Sequence, residues 1–266
     1  MSRPDPLQLW DDVAQDTLAV VRELDGEEWQ LPTALPGWDV RDVVAHLAHL
    51  ESEAAGMPQP DGGGADQVEA TGAMPTSLTQ AGVDARRDAS GEELRAELEQ
   101  ACSTRREVLA DLDTSDLSAP APGLVGGLGW DLRTWLRNRP VDLWVHATDL
   151  RRATGRTVRT DETGATHVAR MLTGAFPFAL RRLPPGTSVV AEITGPQGRT
   201  LAAQVGDDGR AAPVDPPTEP TVHLAMDDVT WLVLGSGRED PAGAAVTITG
   251  DAALAQQVLG QLNVMP

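Results

Sequence analysis

The residues best suited to chemistry form a polar stripe in an otherwise apolar segment near the middle of the chain. Arg139, Asp142, His146 and Asp149 follow one another at intervals of three or four residues, among aliphatic and tryptophan side chains. In a helix this spacing places the four side chains on one face. Polar groups are costly to bury unless they are paired or bind a metal ion. The stripe therefore indicates a functional site within a buried helix.

A second candidate residue lies on the helix that we predict after Asp39. Asp39 is a favourable N-cap and Asp42 follows at the third helical position, so the two can form a capping box. On a helical wheel His46 lies at the edge of the apolar arc, whereas His49 points further towards solvent. We therefore expect His46 at a seam between helices and His49 on the surface.

His46, Asp142 and His146 together could hold a zinc ion. Zinc binds imidazole nitrogen and carboxylate oxygen, and a catalytic site leaves one position open. Helical bundles build such sites from inward-facing side chains on different helices. The alternative is that the Asp142–His146 spacing is one that arises often by chance and that His46 is a hydrogen-bonded core histidine. The spacing alone leaves both interpretations open.

The elements that must position these residues make a helical first half. Apolar spacing and capping signals predict helices over 6–23, after Asp39, after Ser90 and after Asp131. Pro140 predicts a kink or a new start within the last of these. The stretch 56–76 is rich in Gly, Pro, Ala and Asp and is expected to be a long mobile loop or lid, and 120–129 is a second predicted loop.

The second half has a different pattern. Short β-like runs at 188–194, 200–205, 221–226 and 246–249 predict a small sheet, and helices are expected over 163–182, 227–234 and 251–262. The fold class is therefore α+β, with a four-helix bundle over 1–157 followed by a small α+β domain over 158–266.

Composition excludes several classes of function. The 266-residue chain has a net charge of -19, with 40 acidic residues against 21 basic ones that are all arginine, so nucleic acid is not an expected partner. It has no apolar run long enough for a membrane span and no signal-peptide pattern, so we expect a cytoplasmic protein that does not bind membranes. One cysteine, Cys102, excludes a disulfide framework and a cysteine-based zinc finger.

Three segments resemble a known family. Leu35-Pro36-Gly37-Trp38-Asp39-Val40-Arg41-Asp42-Val43-Val44-Ala45-His46-Leu47 is similar to the W-x-V-R-D-x-x-x-H-L segment of DinB-like metal-binding bundles. The segment from Leu132 to Leu150 resembles a second signature, E-x-x-x-H followed by a D-L pair, of the mycothiol-dependent maleylpyruvate isomerase family. The segments 226–238 and 247–251 look like the sterol-carrier-like C-terminal domain of that family.

The resemblance implies roles for particular residues. The metal ligands of the family fall on His46, Asp142 and His146, and Asp142 is one methylene shorter than the glutamate of the family. Arg238 is the positional match for a catalytic arginine of the C-terminal domain. Arg139 is a candidate for binding the anionic thiol cofactor. Asp149 either orients a ligating histidine and so supports the cofactor site, or is a solvent-facing helix charge.

The resemblance also implies an activity. It predicts an isomerase or S-transferase that acts on a small electrophile. The enzyme is expected to use a divalent metal, expected to be zinc, and mycothiol or a similar thiol as the nucleophile. The absence of lysine and tyrosine fits a GC-rich, actinobacterial genome, where mycothiol is the expected thiol. A metal-dependent hydrolase on the same bundle and a non-enzymatic carrier of small molecules are the alternatives, and the protein is expected to be a monomer or a homodimer.

Overall fold

Capped amphipathic helices make up the first of two units, Met1–Thr157 and Val158–Pro266, into which the chain divides. The computed structural model describes residues 5–60 and 76–264. The helices of the first unit are α1 (Pro6–Arg22), α2 (Val40–Ala54), α3 (Thr76–Asp84), α4 (Gly91–Ala110), α5 (Gly123–Gly127) and α6 (Leu132–Ala153). The side chains of Asp39, Ser90 and Asp131 accept backbone hydrogen bonds at the starts of α2, α4 and α6, as the capping signals predict.

The four long helices bury their apolar stripes against one another. Helix α2 packs on α4 and α6, and α1 packs on α6 and α4. Their contact surfaces are aliphatic and tryptophan side chains with almost no exposed area, among them Trp10, Leu47, Leu98 and Leu143. Burying one such side chain contributes about 1.5–3 kcal/mol. This packing fixes the backbone positions from which the polar stripe of α6 extends.

The first unit can be compared with the sequence-based prediction at three places. Helices α3 and α5 are short additions, and α5 lies within the predicted loop at 120–129. Helix α6 continues through Pro140 with no new start, because the packing of the flanking turns outweighs the loss of one backbone hydrogen bond. The predicted lid at 56–76 falls mainly on 61–75, which lie outside the described residues.

The expected surface position of His49 is wrong. The residue has no exposed area, its Nδ1 lies 3.0 Å from Oε1 of Gln59, and Gly82 of α3 approaches its ring. A helical wheel for four helices leaves this face of α2 open, but α3 covers it. The additional helix is therefore the physical reason for the burial of His49.

Substituting alanine for Gly82 tests the packing of α3 on His49. The added Cβ would lie 2.1 Å from Cδ2 of the His49 ring, so Gly82→Ala is expected to lower the free energy of unfolding by about 1–3 kcal/mol. Gly174 is the matched control, because no described atom lies within 4 Å of a Cβ built there. Gly174→Ala is expected to stabilise by about 0.5–1 kcal/mol. Urea denaturation of both variants measures the difference, and effects of the same sign would contradict this packing.

The second unit combines a five-stranded sheet with three helices. Its elements are α7 (Thr163–Ala175), β1 (Ser188–Thr194), β2 (Arg199–Val205), β3 (Ala211–Pro213), β4 (Val222–Asp227), α8 (Asp228–Gly235), β5 (Thr247–Gly250) and α9 (Ala252–Leu259). The strand order is β3-β2-β1-β4-β5, with β1 and β4 parallel and the other neighbours antiparallel. Alternate residues of β4, such as Val222, Leu224 and Met226, are buried. The predicted α+β fold class is confirmed.

One predicted helix of this unit is too long. The sequence pattern predicts a helix over 163–182, but α7 ends at Ala175 and a 3-10 turn follows over Phe176–Leu180. Pro177 lacks an N–H and its ring disfavours continued α-helix, so the hydrogen-bond pattern changes at this position. Within the part of the chain that the structure describes, no helix is both long and apolar enough to cross a membrane.

Candidate metal centre

Helix α2 holds His46 in a buried position. The residue is 3% exposed, and neither ring nitrogen has a hydrogen-bond partner among the described residues. Burial lowers the pKa of His46 to about 4, although Asp142 opposes the shift. The imidazole is therefore neutral at neutral pH, and a nitrogen lone pair is available to a metal ion.

Helix α6 brings Asp142 and His146 to the same point. They lie one helical turn apart, with Nε2 of His146 3.6 Å from Oδ1 of Asp142, and Nε2 of His46 lies 3.6 Å from Oδ2 of Asp142. Desolvation alone would raise the pKa of Asp142, but Arg139 and the two imidazoles lower it well below its usual range. The carboxylate is therefore charged and can act as a ligand.

The three side chains fit a metal ion. One ligand atom from each of His46, Asp142 and His146 can be chosen so that all three lie within 4.8 Å of one another. Ligands around a tetrahedral zinc ion are separated by about 3.3 Å, given bond lengths near 2.0–2.1 Å, so only small side-chain movements are needed. Unpartnered nitrogens are costly to bury. The lack of a hydrogen-bond partner at either nitrogen of His46, among the described residues, is therefore the observation that best fits a ligand role.

Asp149 contacts the opposite side of the His146 ring. Its Oδ2 lies 3.0 Å from Nδ1 of His146, and the residue is buried. A carboxylate at this position holds the proton on Nδ1 and leaves Nε2 as the ligand atom. This buried contact supports the role of Asp149 in orienting His146, and it contradicts the alternative that Asp149 is a solvent-facing helix charge.

Asp149 would be an outer partner, a residue that hydrogen-bonds to a metal ligand without binding the metal itself. Replacing Asp149 by asparagine is expected to weaken zinc binding about 10- to 100-fold, the usual cost of losing such an outer partner. The amide nearly preserves the shape but no longer favours the protonated Nδ1 of His146. Competition with a chromophoric chelator measures the affinity. Asp161, an exposed carboxylate of the second unit, provides the control, since Asp161→Asn should leave the affinity unchanged. Equal affinities of the Asp149 variant and the native protein would contradict the orienting role.

Arg139 lies beside the candidate metal ligands. It is 5% exposed, and it donates from Nη1 to Oδ2 of Asp142 at 2.9 Å and from Nη2 to Oε1 of Glu51 at 2.5 Å. Burial alone would lower the pKa of Arg139, but Asp142 and Glu51 raise it above its usual value. Two of its donor nitrogens are thus engaged within the protein, and its binding of a thiol cofactor stays a prediction.

The sequence reasoning missed Glu51 and Arg105. Both are completely buried, and Arg105 forms an ion pair with Glu51 through Nη1. A signal for them exists in the sequence. Glu51 follows Leu47 by four residues on the apolar face of α2, and Arg105 follows Cys102 by three on the apolar face of α4. Opposite charges at core positions of two helices indicate a buried pair.

An aromatic ring adjoins the two candidate histidine ligands. The ring centroid of Trp38 lies 5.2 Å from that of His46 and 6.4 Å from that of His146, and its Nε1 donates to Oε1 of Gln80 at 3.0 Å. Trp38 is only partly buried. This indole therefore forms a flat, fixed and partly accessible wall next to the ligand cluster.

Two further residues bear on the predicted chemistry. Arg238 belongs to the second unit, follows α8, and donates from Nη1 to the carbonyl of Ser236 at 2.9 Å. Its catalytic role stays a prediction.

Cys102 is 1% exposed, and burial together with Glu51 raises its pKa far above the usual value. A buried thiol that stays protonated is a poor nucleophile, so a thiol-dependent reaction would need sulfur from outside the chain.

Known proteins share this fold and part of this sequence. A family model for the mycothiol maleylpyruvate isomerase N-terminal domain matches residues 10–151. The chain is similar to the crystal structure of a mycothiol-dependent maleylpyruvate isomerase, with a TM-score of 0.58, and to that of a histidine-to-alanine mutant of such an enzyme, with a TM-score of 0.56. Each is 14% identical in sequence, and each alignment covers 93% of both chains. No curated protein matches significantly.

The extent of the family match decides the assignment. The matched residues make up more than half of the chain and include His46, Asp142 and His146 with nearly all of the two helices that carry them. The structural similarity extends over the second unit as well and shows that the fold is shared. As the three sequence motifs predict, the chain belongs to the mycothiol maleylpyruvate isomerase family of enzymes.

Proposed function

We propose that this protein is a metal-dependent and mycothiol-dependent isomerase of a small electrophile with a conjugated double bond. The observation that carries the proposal is the convergence of His46, Asp142 and His146, whose ligand atoms lie within 4.8 Å of one another. Two imidazoles and one carboxylate are a donor set that zinc prefers, and three protein ligands leave a position open. Zinc is therefore the proposed metal.

The chain's own residues have distinct tasks in this proposal. His46, Asp142 and His146 hold the ion, and Asp149 keeps the proton on Nδ1 of His146. Trp38 offers a planar apolar surface beside the two imidazoles, on which a conjugated substrate can stack while water is excluded. A metal ion held there would lower the pKa of a bound thiol and so supply a thiolate nucleophile for the isomerisation.

Recognition of anionic groups is assigned to arginine. The net charge of -19 means that an anionic substrate or thiol needs a local positive group. We propose that Arg238 binds the substrate and that Arg139 binds the thiol. Arg139 also pairs with Asp142 and Glu51. A low-molecular-weight thiol is an intracellular reductant, so the proposed location of the enzyme is the cytoplasm of an actinobacterial cell.

Thiol dependence tests the proposed reaction. The purified protein is incubated with maleylpyruvate, the substrate named for the structurally similar enzyme, with and without mycothiol, and the products are separated by chromatography. We expect the trans isomer to form only when thiol is present and the thiol to be recovered unchanged. Accumulation of a thiol conjugate would indicate an S-transferase. Turnover that is equally fast without thiol would contradict the proposal, and hydrolysis products would indicate a metal-dependent hydrolase.

A further inference from the structure

A chain of alternating buried charges links the core of the bundle to the proposed metal ligands. It consists of Arg105, Glu51, Arg139 and Asp142, in that order of contact. Arg105 and Glu51 have no exposed side-chain area, and the side chain of Arg139 is 6% exposed. Asp142, at the other end, is 29% exposed at its side chain. The chain thus begins deep in the core and ends at the ligand carboxylate.

The inner end of this chain is held rigidly. Arg105 lies between the rings of Trp10 and Trp135, with its guanidinium carbon 4.8 and 4.9 Å from their centroids. The Nε1 of Trp10 donates to Oε2 of Glu51 at 3.2 Å, the same oxygen that Arg105 binds. Glu51 therefore has three partners and one fixed orientation. Its other oxygen, Oε1, is presented to Arg139.

Stability alone is a poor reason for such a chain. Apolar side chains of similar volume often stabilise a core as well as a buried ion pair does, or better. Glu51 and Arg105 occupy positions on the apolar faces of α2 and α4 where aliphatic residues would pack. The feature that distinguishes this ion pair from an inert one is that it continues through Arg139 to Asp142.

The charge on Glu51 controls how strongly Arg139 acts on Asp142. Arg139 shares its guanidinium between the two carboxylates, at 2.5 Å from Glu51 and 2.9 Å from Asp142. Without the Glu51 charge, the positive charge of Arg139 would act on Asp142 alone and would compete with a cation for its oxygens.

We propose that Glu51 is a positioning residue for the metal centre, acting through Arg139 to set the orientation and donor strength of Asp142. The inference rests on the proposed function, because it assumes that Asp142 binds a metal. It predicts that the charge of Glu51 matters for metal affinity although Glu51 does not contact the ion.

Zinc affinity of a Glu51→Gln variant tests the proposal. The amide preserves the size of the side chain and removes its charge. We expect zinc binding, measured by competition with a chromophoric chelator, to weaken about 10- to 100-fold, as for other outer partners of ligands. The matched control is Glu97→Gln, since Glu97 of α4 also pairs with a buried arginine, Arg86, at 2.6 Å. That variant should bind zinc within about twofold of the native protein, well below the cost of losing a ligand's outer partner.

A double-mutant cycle separates action through Arg139 from a general effect on the fold. In an Arg139→Met background, Glu51→Gln should change zinc affinity less than about threefold, because the connection to Asp142 is already lost. An equally large effect in both backgrounds would overturn the proposal, and so would an unchanged affinity in the native background. If Glu51→Gln does not fold, Glu51→Asp carries the test, because it keeps the charge but shortens the reach to Arg139.

The Glu51→Asp variant is expected to bind zinc about 3- to 10-fold more weakly than the native protein, between the native affinity and that of a lost outer partner. An unchanged affinity would overturn the inference.

Two outcomes distinguish this inference from the proposed function. If the native protein binds zinc but the Glu51 variants bind it equally well, only the positioning role fails. If the native protein binds no zinc, the proposed function fails and the positioning role fails with it.

Discussion

Replacing His146 by alanine is expected to leave the protein without bound metal and to lower its isomerase activity by more than about 100-fold, the upper end of the loss caused by removing a mere outer partner. The ligand atoms of His146, Asp142 and His46 lie within 4.8 Å of one another, and only two of these three donors would remain without His146. Elemental analysis of the purified variant measures the metal content, and the isomerisation of maleylpyruvate in the presence of mycothiol measures the activity.

The control for this variant is a histidine of the second unit. His223 pairs only loosely with Glu192, with 3.5 Å between Nε2 and Oε2, and its side chain is 31% exposed. His223→Ala should retain the native metal content and activity. Full metal content in the His146 variant, or equal losses in both variants, would show that the His46–Asp142–His146 cluster is not the metal centre.

Replacing Arg105 by alanine is expected to lower the free energy of unfolding by about 3–5 kcal/mol, the usual cost of removing one partner of a buried ion pair. The substitution leaves Trp10 as the remaining partner of Glu51 Oε2 among the described residues, and it empties the space between Trp10 and Trp135. Folded domains are stable by only about 5–15 kcal/mol in total, so this loss is large. Urea denaturation followed by tryptophan fluorescence measures it.

An exposed ion pair in the same unit provides the comparison. Arg22 and Glu99 lie 2.7 Å apart, but their side chains are 51% and 39% exposed. Arg22→Ala should therefore change the free energy of unfolding by less than about 1 kcal/mol. Similar small losses for the Arg105 and Arg22 variants would mean that the charges around Glu51 are well solvated, contrary to their burial.

The fold could be predicted largely because its signals are local. Caps such as Asp39, Ser90 and Asp131 and the apolar spacing that follows them act within a few residues of sequence. Four of the five strands described in the second unit could be placed from short β-like runs. The three-residue strand β3 was not predicted, because it is too short to show a pattern. The end of α7 at Ala175 was missed although Pro177 is a local signal.

The candidate site could be predicted only in part. Helical rotation and the family resemblance brought His46, Asp142 and His146 together, and the structure places their side chains in one cluster. The burial of His49 depends on α3, whose packing is a long-range event. Glu51 and Arg105 were missed because a charge within an apolar stripe reads as an interruption of the stripe until its partner on another helix is known.

The most direct test of the central claim is the visible spectrum of the cobalt-substituted protein during a thiol titration. We expect one cobalt ion to bind per chain, with the intense absorption of a tetrahedral site, and we expect the spectrum to change with one equivalent of mycothiol. His46→Ala should abolish both signals. A protein that binds no stoichiometric cobalt, or one whose cobalt spectrum does not respond to the thiol, would contradict the account.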